Sequence, residues 1–168
     1  MCIKENIDVI NVVRKESHFN TFKDYGAKYM VSTSNPKWKE ELSNLSKDLN
    51  SQICFECVGG NYTGEMLNCL PNNSTLYHFG NLELKRLGKI VTSDLITKTI
   101  RGFVVDKFLL SLNNEERNNM VNYIVKDISN GGEIFSTKYS KEFKLENFVE
   151  ALMYYLQNMS EGKVIIKA

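Results

Sequence analysis

The segment Gln52-Ile53-Cys54-Phe55-Glu56-Cys57-Val58-Gly59-Gly60 gathers the residue types best able to do chemistry in this chain. It reads as a buried strand that stops on two glycines. A helix from Asn61 to Leu70 follows, then a second strand from Ser74 to Phe79 that ends at Gly80. Glycine at the carboxyl ends of neighbouring strands lets a flat ligand approach bare backbone, because no Cβ stands in the way. Strand ends of this kind build a nucleotide crevice. Cys54 and Cys57 share the segment at C-x-x-C spacing, but residues three apart on a strand point to opposite faces. The thiols therefore diverge, and neither metal binding nor redox pairing is expected of them. His18 and His78 are too far apart in sequence to give zinc-ligand spacing. Glu56 reads as a satisfied buried carboxylate or an edge residue, not as a catalyst.

The elements that must position these residues alternate along the chain. Ile7 to Val13 is apolar and β-branched, as in a buried strand; Ser17 to Tyr25 reads as a short helix stopped by Gly26. Lys28 to Ser32 is a short strand. Asn35 and Pro36 open a helix with Trp38, Leu42, Leu45 and Leu49 on one face, a spacing that marks core. Ser93 to Lys98 reads as a turn of helix and Ile100 to Phe108 as a strand. Asn113 and Glu116 make a capping signal for a helix that is expected to bury Met120, Val121, Ile124, Val125 and Ile128. Phe135 to Tyr139 reads as a strand and Leu145 to Asn158 as a helix with Phe148, Leu152, Tyr155 and Met159 on one stripe. Val164 to Ile166 is the last strand. Strands alternating with helices of these lengths predict an α/β fold with a mostly parallel sheet.

Composition narrows the partners. A chain of 168 residues with 42% hydrophobic and 24% charged content suits one globular domain. The net charge of +1 offers no basic face for nucleic acid; the cluster Lys85, Arg86 and Lys89 reads as a solvated loop. No apolar run is long enough to span a bilayer, and no secretory signal is visible, so an intracellular location, cytoplasmic or mitochondrial, is expected.

A family resemblance rests on six motifs in order. They are Val9-Ile10-Asn11-Val12-Val13-Arg14, Tyr25-Gly26-Ala27, Phe55-Glu56-Cys57-Val58-Gly59-Gly60, Leu76-Tyr77-His78-Phe79-Gly80, Ile100-Arg101-Gly102-Phe103 and Gly162-Lys163-Val164-Ile165-Ile166. Together they resemble the cofactor domain of the medium-chain dehydrogenase/reductase superfamily, most closely its zinc-free quinone oxidoreductases and enoyl reductases. The resemblance implies a Rossmann-like, doubly wound sheet. It also implies hydride transfer from NADP(H) to an activated double bond or a quinone. Arg14, with Lys15 beside it, matches the position that accommodates the 2′-phosphate of NADP. Cys57, Val58 and Gly59, with Phe79, Gly80 and Asn81, match positions facing adenosine and nicotinamide ribose. Gly102, Phe103 and Val104 match the segment that meets the nicotinamide amide, and Lys167 lies near the cofactor or at the surface. No catalytic residue and no metal ligand is implied for this chain. The family's edge strand, here Ile100 to Val105, implies a homodimer.

Family members carry a barrel-like substrate domain, a first Rossmann strand and a glycine-rich turn ahead of these motifs. None of the three is found here, so an incomplete nucleotide-binding domain is expected. In the order 3-2-1-4-5-6 the first strand belongs between Ile7 to Val13 and Ile53 to Val58. Each unpaired buried backbone group costs about 1 to 3 kcal/mol, so direct closure of these two strands, or poor stability, is expected. Three functional classes stand at this point: the C-terminal portion of a reductase, inactive alone; a non-catalytic dimerisation or binding module derived from that family; and an unrelated α/β nucleotide-binding domain.

Overall fold

A computed structural model describes residues 1–159 and 161–168. They form two compact units, Met1–Ser111 and Leu112–Ala168. All strand pairing is parallel, as the alternating pattern predicts.

In the first unit β1 (Ile10–Val13) pairs with β2 (Tyr29–Ser32), and β3 (Ile53–Glu56), β4 (Thr75–His78) and β5 (Thr99–Gly102) form a second sheet in that order. The helix α1 (Phe19–Asp24) ends before Gly26, whose φ of +85° is the left-handed conformation that stops a helix. The helix α2 (Trp38–Asp48) sets Trp38 and Leu42 on Val31 of β2, with Ile10 and Val12 of β1 around them. Ser46 joins that stripe because its hydroxyl donates to the Cys69 carbonyl at 2.7 Å, which satisfies a polar group in a fully buried place. The helix α3 (Asn61–Cys69) sets Leu67, with Leu70 just beyond its end, on Cys54 of β3 and Leu76 of β4. Its last carbonyls, on Leu67 and Asn68, accept from the ammonium of Lys98, which Asp94 neutralises at 2.9 Å. A cation at a helix carboxyl end meets both the orphan acceptors and the dipole.

Several expectations are corrected. The strands at β1 and β3 do not close on each other: each is paired on one edge only. The two half-sheets are held instead by different helices, and Met66 packs against both cores. β3 is not buried on both faces: Cys54 and Glu56 are inside, whereas Ile53 and Phe55 are exposed at 62% and 69%. Phe55 stacks on Tyr77 of β4. The strand expected over Ile100 to Phe108 ends at Gly102, and α5 (Val105–Ser111) takes over after α4 (Thr92–Thr97) and β5. Phe108 turns back to meet Phe103 with ring centroids 5.7 Å apart, a contact that residues five apart on a strand cannot make.

The second unit holds α6 (Asn114–Ser129), β6 (Tyr139–Lys144), α7 (Phe148–Gln157) and β7 (Lys163–Lys167), with β6 parallel to β7. Asn113 and Glu116 form the reciprocal capping box that their spacing predicts. The apolar stripe on α6 is not buried: Val121, Val125 and Ile128 are exposed, and none of its side chains is fully covered. Likewise α7 buries only Ala151, and its first three expected residues are a 3-10 turn. The expected strand from Phe135 is displaced to Tyr139 because the Asp127 carboxylate accepts the amides of Ile134 and Phe135 and draws them out of any ladder.

Leu67 is fully buried where α3 meets β3 and β4. Leu67→Ala is expected to cost about 2 to 5 kcal/mol, with a lower urea midpoint. A loss below half a kcal/mol would show that α3 does not anchor the three-stranded sheet.

Candidate functional site

The carboxyl end of β3 is organised by the buried Glu56. Its carboxylate accepts the amides of Val58 at 2.5 Å and Gly59 at 2.8 Å, the Thr63 hydroxyl at 2.8 Å and Nδ1 of His78 at 2.8 Å. An ionised carboxylate only accepts, so the hydrogen of the His78 ring sits on Nδ1. One side chain thus ties the end of β3 to the glycine turn, to the first turn of α3 and to the end of β4. Burial pushes this carboxyl up. The Gly59 amide, the His78 ring, the Thr63 hydroxyl and the Val58 amide more than offset it, holding the group below the usual carboxylate range. The sequence reading of Glu56 as a satisfied buried carboxylate matches this geometry.

Gly59 and Gly60 have φ of +80° and +58°, which side chains with a Cβ rarely adopt. Their bare faces are covered by the protein itself. A Cβ on Gly59 would meet the Asn81 side chain, and one on Gly60 would meet Glu83. The segment after β4 folds over the turn, with Leu82 donating to the Cys57 carbonyl, Glu83 to Val58 and Gly88 to Gly60. Two amides of the turn are spent on Glu56, so this is a self-satisfied turn and not a phosphate cradle.

Gly80 lies against Cys57, whose backbone carbonyl would stand 3.2 Å from an added Cβ. Burial and the nearby Glu56 raise the Cys57 thiol, and burial, Glu56 and Cys69 push Cys54 up to about 12. Both sulfurs are held protonated, which is the unreactive form.

At the ends of β4 and β5 a different surface opens. Phe79, Phe103 and Val104 line an apolar hollow of about 300 Å³ together with Val105. Beside them Gly102 has no atom within 4 Å of where a Cβ would stand. Four of the residues singled out in the sequence are thereby brought together. Val105 joins them unforeseen, because the sequence placed it inside a strand and not at the start of α5. Arg14 and Lys15 stand exposed just past β1, with the Arg14 carbonyl accepting from Ser32 at 3.4 Å. Lys167 belongs to the second unit, where it pairs with Glu142 across β6 and β7.

No family model and no curated protein matches this sequence. Solved structures do match its fold. A putative NADPH:quinone reductase from Mesorhizobium loti aligns over 98% of this chain and 47% of its own, with a TM-score of 0.80 at 20% identity. The mitochondrial 2-enoyl thioester reductase heterodimer Etr1p/Etr2p of Candida tropicalis aligns over 97% and 48%, with a TM-score of 0.72 at 20% identity. The complex of Etr1p with NADP and crotonyl-CoA aligns over 97% and 48%, with a TM-score of 0.71 at 19% identity. At these identities the likeness is one of fold, and the chain spans about half the length of the structures it matches.

Because the folded carboxyl of Glu56 titrates below its unfolded value, its stabilisation is complete above about pH 4.3 and disappears as pH falls through the folded value. Glu56→Gln is expected to cost about 2 kcal/mol near neutrality and to remove that acid-dependent loss. Urea unfolding from about pH 7 to about pH 3 measures both; parallel curves for the two proteins would exclude Glu56 as the anchor.

Proposed function

We propose that residues 1–168 are the C-terminal, cofactor-binding portion of an NADPH-dependent oxidoreductase that passes hydride to a quinone, an enone or an enoyl thioester. The observation that carries the reading is the apolar hollow of Phe79, Phe103 and Val104 beside the uncovered backbone of Gly102. It lies at the carboxyl ends of two parallel strands, where open α/β sheets bind their ligands. The shared fold with NADPH:quinone and enoyl thioester reductases supports the same conclusion.

When bound, the nicotinamide supplies the hydride, and the residues of this chain hold and orient it. Phe79, Phe103 and Val104 exclude water from the ring, while the backbone at Gly80 and Gly102 comes close to it. Cys57, Val58, Gly59 and Asn81 border the ribose, and Arg14 and Lys15 meet the 2′-phosphate. No residue of this chain donates the proton, and no metal takes part. The chain is inactive alone, and two copies pair through the outer edge of β5, a free edge in the observed strand order.

Nicotinamide fluorescence titration is expected to show NADPH bound about tenfold more tightly than NADH, a difference of about 1.4 kcal/mol. Arg14→Ala should remove that preference without changing NADH affinity. No NADPH is expected to be consumed with a quinone or an enoyl thioester. Equal affinities in the unmodified chain would overturn the assignment of Arg14, and turnover would overturn the inactivity.

A further inference from the structure

The register of the three-stranded sheet sets side chains in rows across its strands. Cys54, Leu76 and Ile100 are partners across β3, β4 and β5, and Leu67 of α3 belongs to the same apolar cluster. Two residues on, where side chains return to the same face, the row is Glu56, His78 and Gly102. Across the strand ends it runs from a carboxylate to an imidazole to a place with no side chain. No atom lies within 4 Å of where a Cβ on Gly102 would stand.

Glu56 fixes the ring of His78 in both orientation and tautomer. Its carboxylate accepts from Nδ1 at 2.8 Å, so that edge of the imidazole faces β3, and the opposite edge, with Nε2 at its tip, turns toward β5 and the space over Gly102. With the hydrogen on Nδ1, the lone pair of the neutral ring is on Nε2. Nε2 has no hydrogen-bond partner among the described residues, and it meets solvent, since the His78 side chain is 20% exposed and Nε2 is not a buried orphan. An imidazole oriented by a buried carboxylate is the activating half of a nucleophilic site. The neighbouring groups that could complete it are spent or inert. The Thr63 hydroxyl donates to Glu56, and the thiols of Cys54 and Cys57 are held protonated. That leaves Nε2 itself as the nucleophile.

We infer that His78 Nε2 takes the acyl group of small activated esters that enter over Gly102 and passes it to water, with Glu56 as the positioning residue. In the first step the Nε2 lone pair forms a bond to the carbonyl carbon, and the C–O bond to the leaving alkoxide or phenoxide breaks. The positive charge this puts on the ring is met, through the Nδ1 hydrogen, by the Glu56 carboxylate. In the second step water adds to the same carbon and the C–N bond breaks. One hydrogen of the water stays on the carboxylic acid, the other ends on the departed alkoxide, and Nε2 is free again. Nothing is oxidised or reduced. The reaction uses no nicotinamide and is separate from hydride transfer, for which the chain alone is inactive.

The probe is p-nitrophenyl acetate, whose phenoxide is coloured on release, added to the chain without nicotinamide. Release is expected to continue after every chain has reacted once. Mass mapping with diethyl pyrocarbonate, whose histidine adduct is stable, should mark His78 about tenfold faster than His18, the other histidine, whose ring has no partner among the described residues. His78→Gln keeps a donor for Glu56 but has no nucleophile, and release should fall by about tenfold or more. If that variant fails to fold, Gly102→Val gives the reading. Gly102 is not among the glycines with positive φ, so a branched side chain suits its strand, fills the open place and should lower release by a similar factor. Glu56→Gln still accepts from Nδ1 while losing the charge, so kcat should fall with KM unchanged, a split that general loosening of the fold would not give. Overturning results are equal marking of the two histidines, release unchanged in any of the three variants, or release that stops once each chain has reacted. With no nicotinamide present, failure here leaves the cofactor reading standing, and failure of NADPH binding leaves this one.

Discussion

Glu56 accepts two backbone amides, a hydroxyl and an imidazole, and these four donors come from three different pieces of the first unit: the glycine turn, α3 and β4. The direction of the chain after β3, the start of α3 and the end of β4 all follow from that one buried charge. A carboxylate in such a place is tolerable only when its lone pairs are used, and here the glycine turn supplies donors that no side chain could bring as close. The positive φ angles at Gly59 and Gly60 let the backbone curl around the charge. The same curl consumes the amides that would otherwise attract an external anion. Structure and potential function compete for the same groups, and structure has taken them.

The consequence is a division of labour along the strand ends. The end of β3 is closed over by its own loop, with Asn81 and Glu83 covering the glycines. The ends of β4 and β5 stay open and apolar around Phe79, Phe103 and Val104. The fold is shared with reductases about twice this length, and open, apolar strand ends are where α/β sheets of this kind take their ligands. β1 and β3, by contrast, are each paired on one edge only.

Much of this was legible in the residues. The spacing of Trp38 and Leu42 located a buried helix face, Asn113 and Glu116 located a helix start, and the glycines after Val58 and Phe79 located strand ends. These signals are local, each depending on the period of a single element or on backbone conformation at a single residue. Errors fell where a distant group won. Asp127 held the amides of Ile134 and Phe135 and moved a strand, and the Phe103–Phe108 contact turned an apolar run into a helix. The stripe on α6 was read as core from its period, yet period alone shows only that one face is apolar, not that anything lies against it.

The sequence by itself determined the alternation of strands and helices, the parallel α/β class and the glycines that end the key strands, because hydrophobic period and left-handed backbone are properties of neighbouring residues. Only the tertiary structure decided that Glu56 would occupy its own glycine turn, that Asn81 and Glu83 would cover it, and that β1 and β3 would each keep an open edge. Those outcomes depend on which groups separated by tens of residues arrive at the same place, and hydrogen bonds between such groups leave no periodic trace in the chain.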